Sequence, residues 1–265
     1  MTVSTAEAFY ERAAGGRFLS TRNTTGPWDP ASQHAGPPAA LLALAVEERA
    51  GRRGEFRIAR LTYEIMRPVP VAPVTVRTRV LREGRSVELV EAELAPDDGP
   101  AVMRATALLL KAAPGSVPEV RPDPEVPGLE EALGREFFPV PWEQGYHTAM
   151  ELRFTAGSFL ELGPATVWFR MRVPLVAGEG ITPLSRALVA ADSGNGISAT
   201  VDYSRYVFVN PDLTVGIDRH PEGEWVCLDA RTTIDAAGIG LAEAGLHDEK
   251  GPLGRSAQTL YVAPR

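Results

Sequence analysis

The sequence holds a single cysteine, Cys227, so no disulfide can close within the chain and nothing implies an oxidising compartment. Long apolar runs are missing too. The longest, Pro37 to Val46, is too short to span a bilayer and runs straight into Glu47-Glu48-Arg49. The stretch Met1 to Ala8 has neither a basic start nor an apolar core of signal-peptide length, so a cytoplasmic location without a membrane partner is expected. Positive charge is not in excess: 27 Lys and Arg stand against 34 Asp and Glu, a net charge of −7, which argues against nucleic acid as a partner. The four histidines, His34, His147, His220 and His247, show no metal-ligand spacing, so no metal site is expected. There is no Gly-x-Ser-x-Gly elbow, because Ser193-Gly194 and Gly157-Ser158 lack its flanks. Cys227 has apolar strand neighbours and no histidine nearby, which reads as a core residue and not a nucleophile.

What remains is an ordinary globular composition, 44% hydrophobic and 23% charged over 265 residues, enough for one large domain or two small ones. Comparison of the chain with itself favours two. Leu61-Thr62-Tyr63-Glu64-Ile65-Met66-Arg67-Pro68 returns loosely as Leu213-Thr214-Val215-Gly216-Ile217-Asp218-Arg219-His220-Pro221. Each copy continues into an alternating strand pattern, Val74 to Val80 and Glu224 to Ala230. A hairpin follows in both: Val90 to Leu94, an acidic-Gly turn at Pro96-Asp97-Asp98-Gly99, then Val102 to Leu108; and Ala242 to Leu246, Asp248-Glu249-Lys250-Gly251, then Gly254 to Leu260.

A helix precedes each meander. The first runs from Pro37 to Glu48 with its prolines in the first turn, where a missing N–H costs nothing; the second, Pro183 to Asp192, is expected to stop at Ser193-Gly194-Asn195-Gly196. Both are apolar nearly all round and should be buried. A buried helix wrapped by a curled antiparallel sheet is the hot-dog arrangement. The repeat therefore predicts an α+β double hot-dog: residues 1–113 as an N-terminal unit, a Pro-rich connector over 114–141, and residues 142–265 as a C-terminal unit. Such units expose a sheet edge that pairs with another, one pairing being satisfied internally, which leaves further homo-oligomer formation open.

At this point the residues resemble a known family. Gln33-His34-Ala35-Gly36-Pro37-Pro38-Ala39-Ala40-Leu41-Leu42 is similar to the helix-opening motif of the acyl-CoA thioesterase II-like family. Arg60-Leu61-Thr62 through Arg67-Pro68-Val69-Pro70 resembles its first long strand, and Val209 to Thr214 with Gly254 to Leu260 its C-terminal signatures. The resemblance runs from about Phe18 to Val262. It implies hydrolysis of an acyl-CoA or other acyl thioester to the free acid, without metal or organic cofactor. It also implies a site built from an Asp ending the second helix, a hydroxyl residue on the following strand and a Gln on the last strand. These positions fall on Asp192, Asn210 and Gln258, and Asn210 departs from the family's hydroxyl.

Thioester hydrolysis needs a positioned water, a base and donors aimed at the oxyanion. A carboxylate at the C-terminal end of a buried apolar helix should have raised proton affinity, as a base near neutral pH requires. Gln258 and Asn210 could orient the water. The oxyanion donors would be N–H groups at the first helix start, Ala35, Gly36 and Ala39, with His34 as a further donor. Each position has a plainer alternative: Asp192 as a helix cap, Gln258 facing solvent, Asn210-Pro211-Asp212 as a turn, and His34 as a loop residue. The first-copy match of Gln258 is Ala107, so one active half per chain is expected. The tunnel walls should include Leu41, Phe159, Trp168 and Tyr203. Two other readings compete: a thioester-binding protein in which Asn210 marks lost hydrolysis, and a hot-dog enoyl-CoA hydratase or dehydratase, for which Asn210-Pro211 lacks the following His.

Overall fold

The computed structural model describes residues 7–50, 55–121, 126–135, 137 and 139–265; most of the chain's first eight residues and Pro122 and Pro124 of the connector lie outside these. The first half comprises β1 (Tyr10–Arg12), β2 (Arg17–Ser20), α1 (Gly36–Ala50), β3 (Phe56–Ile65), β4 (Pro73–Arg82), β5 (Val87–Pro96) and β6 (Met103–Lys111). The second comprises α2 (Tyr146–Ala149), β7 (Met150–Ala156), β8 (Ala165–Met171), α3 (Pro183–Ala191), α4 (Gly194–Ile197), β9 (Tyr206–Val209), β10 (Asp212–Ile217), β11 (Trp225–Ile234), β12 (Ile239–Asp248) and β13 (Gly251–Pro264).

The strands form one antiparallel sheet in the order β1-β2-β4-β5-β6-β3-β10-β13-β12-β11-β8-β7, with β9 paired to β13 beside that path. The order is palindromic. Reading outward from the β3–β10 seam, β6 corresponds to β13, β5 to β12 and β4 to β11. The seam is centred on Thr62 opposite Thr214, flanked by Leu61 opposite Val215 and Tyr63 opposite Leu213. The two residues matched by the internal repeat thus face each other across an approximate two-fold axis.

Period-two burial makes the strands curl around their helices. Along β6 Met103, Ala105, Ala107 and Leu109 are buried while the residues between them are not. α1 packs on β3 to β6, α3 on β8, β11 and β12, and the two helices pack on each other. α1 is buried from Gly36 to Leu44, as an all-apolar helix must be. One apolar cluster runs through both halves. Thr182 caps α3 by accepting the Ser185 N–H at 3.2 Å, and Pro183 occupies the first turn. This is the double hot-dog architecture, and it sets the end of each helix against the start of the other.

Candidate active site

Asp192 follows the last turn of α3 and is only 6% exposed. The chain does not leave the helical region there. Ser193-Gly194-Asn195-Gly196, expected as a stop, opens the short α4 instead, because the Ile197 N–H bonds back to the Ser193 carbonyl at 3.0 Å.

The Asp192 carboxylate is surrounded by donors. Its Oδ1 accepts from Asn210 Nδ2 at 2.8 Å and from Gln258 Nε2 at 3.0 Å. Its Oδ2 lies 3.3 Å from His34 Nδ1, and the backbone N–H groups of Ala35 and Gly36 reach the carboxylate as well. Burial nevertheless wins over these donors and pushes the carboxyl up to about 7. The start of α1 faces Asp192, so one helix favours its charge while the helix that carries it does not.

Gln258 is 1% exposed, so it does not face solvent. Its Nε2 also donates to the Asp192 carbonyl at 3.1 Å, and its Oε1 accepts the Asn195 N–H at 3.1 Å. The amide is committed to holding the turn after α3. Asn210 sits between β9 and β10, where Pro211 gives its carbonyl to Ile65 N–H at 2.7 Å. Asp212 takes the Thr259 N–H at 2.6 Å and the Thr259 hydroxyl at 3.1 Å, a structural role.

His34 is largely buried, its side chain 12% exposed, and the loss of solvent pushes its imidazole down to about 3 and keeps it neutral. Its Nδ1 accepts the Gly36 N–H at 3.1 Å, which assigns the ring hydrogen to Nε2. The ring stacks on Tyr146, with centroids 3.7 Å apart and planes 3° from parallel. Tyr146 donates its hydroxyl hydrogen to the Val189 carbonyl at 2.9 Å, so the Ser193 hydroxyl at 2.9 Å is the donor to Tyr146. Both ring residues hang from one turn, His34 N–H on the Thr24 carbonyl at 2.8 Å and Tyr146 N–H on Thr25 at 2.9 Å. Sequence reasoning missed Tyr146 and the Ser193 hydroxyl. The only signal was Gly145-Tyr146 at the end of a Pro-rich stretch, and nothing periodic connects it to His34.

Gly36 is fixed by crowding. A Cβ there would stand 2.3 Å from the Val189 carbonyl oxygen, so only glycine lets α1 begin this close to the end of α3.

A cavity of about 480 Å³ opens onto this centre. Asp192, Asn210, His34 and Ala35 form part of its wall; Gln258, Gly36 and Ala39 stand outside the wall. The Ala39 N–H closes the first helical bond onto the Ala35 carbonyl at 3.0 Å, so it is not free for a ligand. Of the four expected tunnel residues only Phe159 lines the cavity. Leu41 is buried in the main core, and Trp168 packs with Ala132, Trp225 and Cys227 on the other side of the sheet from the helix. Tyr203 stands behind Trp28, ring centroids 5.2 Å apart. Alternation along a strand identifies the buried face without saying which buried residues border a void. Cys227 is fully buried and its thiol is pushed up by that burial, as a core residue. Among the described residues no group of three or more His, Cys, Asp or Glu could hold a metal ion, and no helix is long and apolar enough to cross a membrane.

The halves contribute unequally. Thr62 pairs with Thr106 and Thr214 with Ala257, so the position of Gln258 in the second half is that of the buried Ala107 in the first. The second half supplies Asp192, Asn210 and Gln258; the first supplies His34 and the start of α1.

The family model described as the acyl-CoA thioesterase N-terminal domain matches residues 24–110, and its C-terminal counterpart matches residues 114–262. None of the curated proteins matches the chain. Among solved structures, a protein assigned as thioesterase II from Thermobifida fusca YX is similar at 18% identity over 97% of each chain, with a TM-score of 0.75. A hot dog fold protein of unknown function from Alicyclobacillus acidocaldarius has a TM-score of 0.72 at 18% identity over 97% of each chain. Acyl-CoA thioesterase II from Mycobacterium marinum has a TM-score of 0.63 at 15% identity, over 97% of this chain and 95% of its own. At these identities the structures establish the fold.

Proposed function

This chain belongs to the acyl-CoA thioesterase family, and on that premise we propose that it hydrolyses its thioester at the Asp192 centre, with Asp192 as the general base. One observation carries the reading: a buried carboxyl on the cavity wall whose proton affinity matches neutral pH, beside a neutral imidazole. A water held between Asp192 and the side-chain carbonyl of Asn210 gives a proton to Asp192 as its oxygen bonds to the thioester carbonyl carbon. Asp192 Oδ2 lies 3.3 Å from His34 Nδ1, whose lone pair is held by the Gly36 N–H, so the proton taken from water stays on Asp192 and does not pass to the imidazole. His34 Nε2–H and the charge-favouring start of α1 stabilise the oxyanion. On collapse the carbon–sulfur bond breaks, and the proton held by Asp192 passes to the leaving thiolate, yielding free acid and CoA thiol. Gln258 acts through Asp192 as a positioning residue. Asn210 in place of a hydroxyl keeps a donor on the carboxylate and an acceptor for water, so hydrolysis does not need the hydroxyl.

The test is release of free thiol from acyl-CoAs of several chain lengths. Asp192→Asn is expected to lower kcat by about 10³, and the parent kcat/KM is expected to rise with pH to a plateau with its midpoint at about 7, where Asp192 loses its proton. No thiol release across the panel sinks the reading; release untouched by Asp192→Asn sinks the site. The His34–Asp192 pair is also what hydration of an enoyl thioester would want, so crotonyl-CoA is the control: formation of a 3-hydroxyacyl product, read by mass, is expected to be absent.

A further inference from the structure

An imidazole that is to meet an oxyanion must present its N–H at a fixed angle, and a single hydrogen bond does not set that angle. The bond that His34 Nδ1 accepts from the Gly36 N–H at 3.1 Å pins one ring atom, while the χ2 torsion of a histidine is broad. A second restraint is the ring of Tyr146, which lies flat on the imidazole at 3.7 Å with the planes 3° from parallel. Tyr146 is buried and lines the cavity beside His34.

Tyr146 is itself tied down at both ends. Its N–H donates to the Thr25 carbonyl at 2.9 Å, and nearby Gln144 gives Nε2 to the Asn23 side-chain oxygen at 3.0 Å, on the turn that also holds the His34 N–H. At the other end its hydroxyl donates to the Val189 carbonyl at 2.9 Å and accepts from the Ser193 hydroxyl at 2.9 Å. The Ser193 N–H, which a continuing α-helix would give to Val189, goes to Ala190 at 2.9 Å, so the Val189 carbonyl is open to the phenol. Ser193 directly follows Asp192. One phenol thus touches both the imidazole face and the turn that carries the base, although these come from opposite halves of the chain.

We infer that Tyr146 is a positioning residue for His34: its ring fixes the plane of the imidazole so that Nε2–H meets the thioester oxyanion, and its hydroxyl, with Ser193, locks that plane to the turn carrying Asp192. The inference rests on the thioesterase reading and extends it to what aligns the oxyanion donor with the base. Both rings suit the task by being neutral, since burial keeps the imidazole unprotonated and the phenol protonated. A neutral stack holds geometry without adding a charge beside Asp192.

The experiment measures thiol release from one acyl-CoA by the full chain and by His34→Ala, Tyr146→Phe, Tyr146→Leu and the double variant His34→Ala with Tyr146→Leu. Tyr146→Leu is expected to lower kcat about tenfold or more with KM within about twofold, because only the alignment of a transition-state donor is lost. Tyr146→Phe keeps the flat face, and its kcat should stay within about threefold of the parent. In the His34→Ala background Tyr146→Leu should cost less than about twofold further, since a residue acting through His34 has nothing left to position. Tyr146→Met, which also removes the flat face, is a second break of the stack should the leucine variant not fold. By proton NMR the His34 ring hydrogens, identified by their absence from His34→Ala, should lie upfield in the parent and in Tyr146→Phe, shielded by the facing ring, and move downfield in Tyr146→Leu. An equal loss of kcat in both backgrounds overturns the inference, as does an unchanged kcat in Tyr146→Leu, a loss that appears in KM, or a loss in Tyr146→Phe as large as in Tyr146→Leu. If the parent releases no thiol, it is the thioesterase reading that fails, and the ring shifts still show whether Tyr146 holds His34.

Discussion

Asp192 shows how one residue's chemistry is made by its surroundings. Four N–H donors would normally hold a carboxyl low; burial overrides them and leaves it at about 7. Gln258 is not itself part of the cavity wall, yet it supplies Nε2 to Asp192 and anchors Asn195. Gln258→Ala is therefore expected to reduce kcat about 100-fold with little change in KM, and to move the acid limb of the pH profile above its parent midpoint, because a donor that favours the carboxylate is gone. A KM effect of the same size would mean that Gln258 contacts substrate. Asp192, Asn210 and Gln258 could be placed from motifs because each stands in a recognisable local pattern. Tyr146 could not, since its partner His34 is brought to it by tertiary packing alone.

Helix ends decide the geometry at the next scale. α3 ends against the start of α1, and Gly36 allows that approach. Gly36→Ala should destabilise the fold by about 1–3 kcal/mol through overpacking against Val189, read as a lower denaturant midpoint, with loss of thiol release even below that midpoint. The opposite contact mirrors it. Near the end of α1, Glu47 faces the capping Thr182 of α3, whose hydroxyl donates to Glu47 Oε2 at 3.4 Å, and burial pushes the Glu47 carboxyl from its ordinary 4.5 up to about 7. Between pH 4.5 and 7 the folded chain keeps a proton that the unfolded chain has lost, so the parent is stabilised at low pH and loses that contribution as pH rises through about 7. Glu47→Gln should flatten this slope, gaining stability relative to the parent at pH 8 but not at pH 4; equal midpoint shifts at both pH values would show that the carboxyl is not the cause. In the sequence Glu47 is merely the first charge after the apolar run Pro37 to Val46.

At the scale of the whole molecule, the β3–β10 seam joins the halves into one sheet and brings His34 of one to Asp192 of the other. β10 is paired on both sides, so Thr214→Pro removes a ladder bond from a central strand and should cost roughly 3 kcal/mol or more. Its unfolding, followed by circular dichroism, is expected to shift down as a single transition that carries thiol release with it; two separate transitions would mean that the halves are stable apart. The duplication, the order of helix and meander in each copy, and the three polar positions of the second copy were all determined by the sequence itself. The first two depend on periodicity and turn chemistry, which are local; the three positions follow from the resemblance of the chain's motifs to those of the thioesterase family. The tertiary structure alone decided that His34 and Tyr146 stack, that Gln258 stands behind the cavity wall, and that Trp28 and Arg67 line one cavity. Those relations join residues far apart in the chain, and only the antiparallel closure of two twisted half-sheets makes them neighbours.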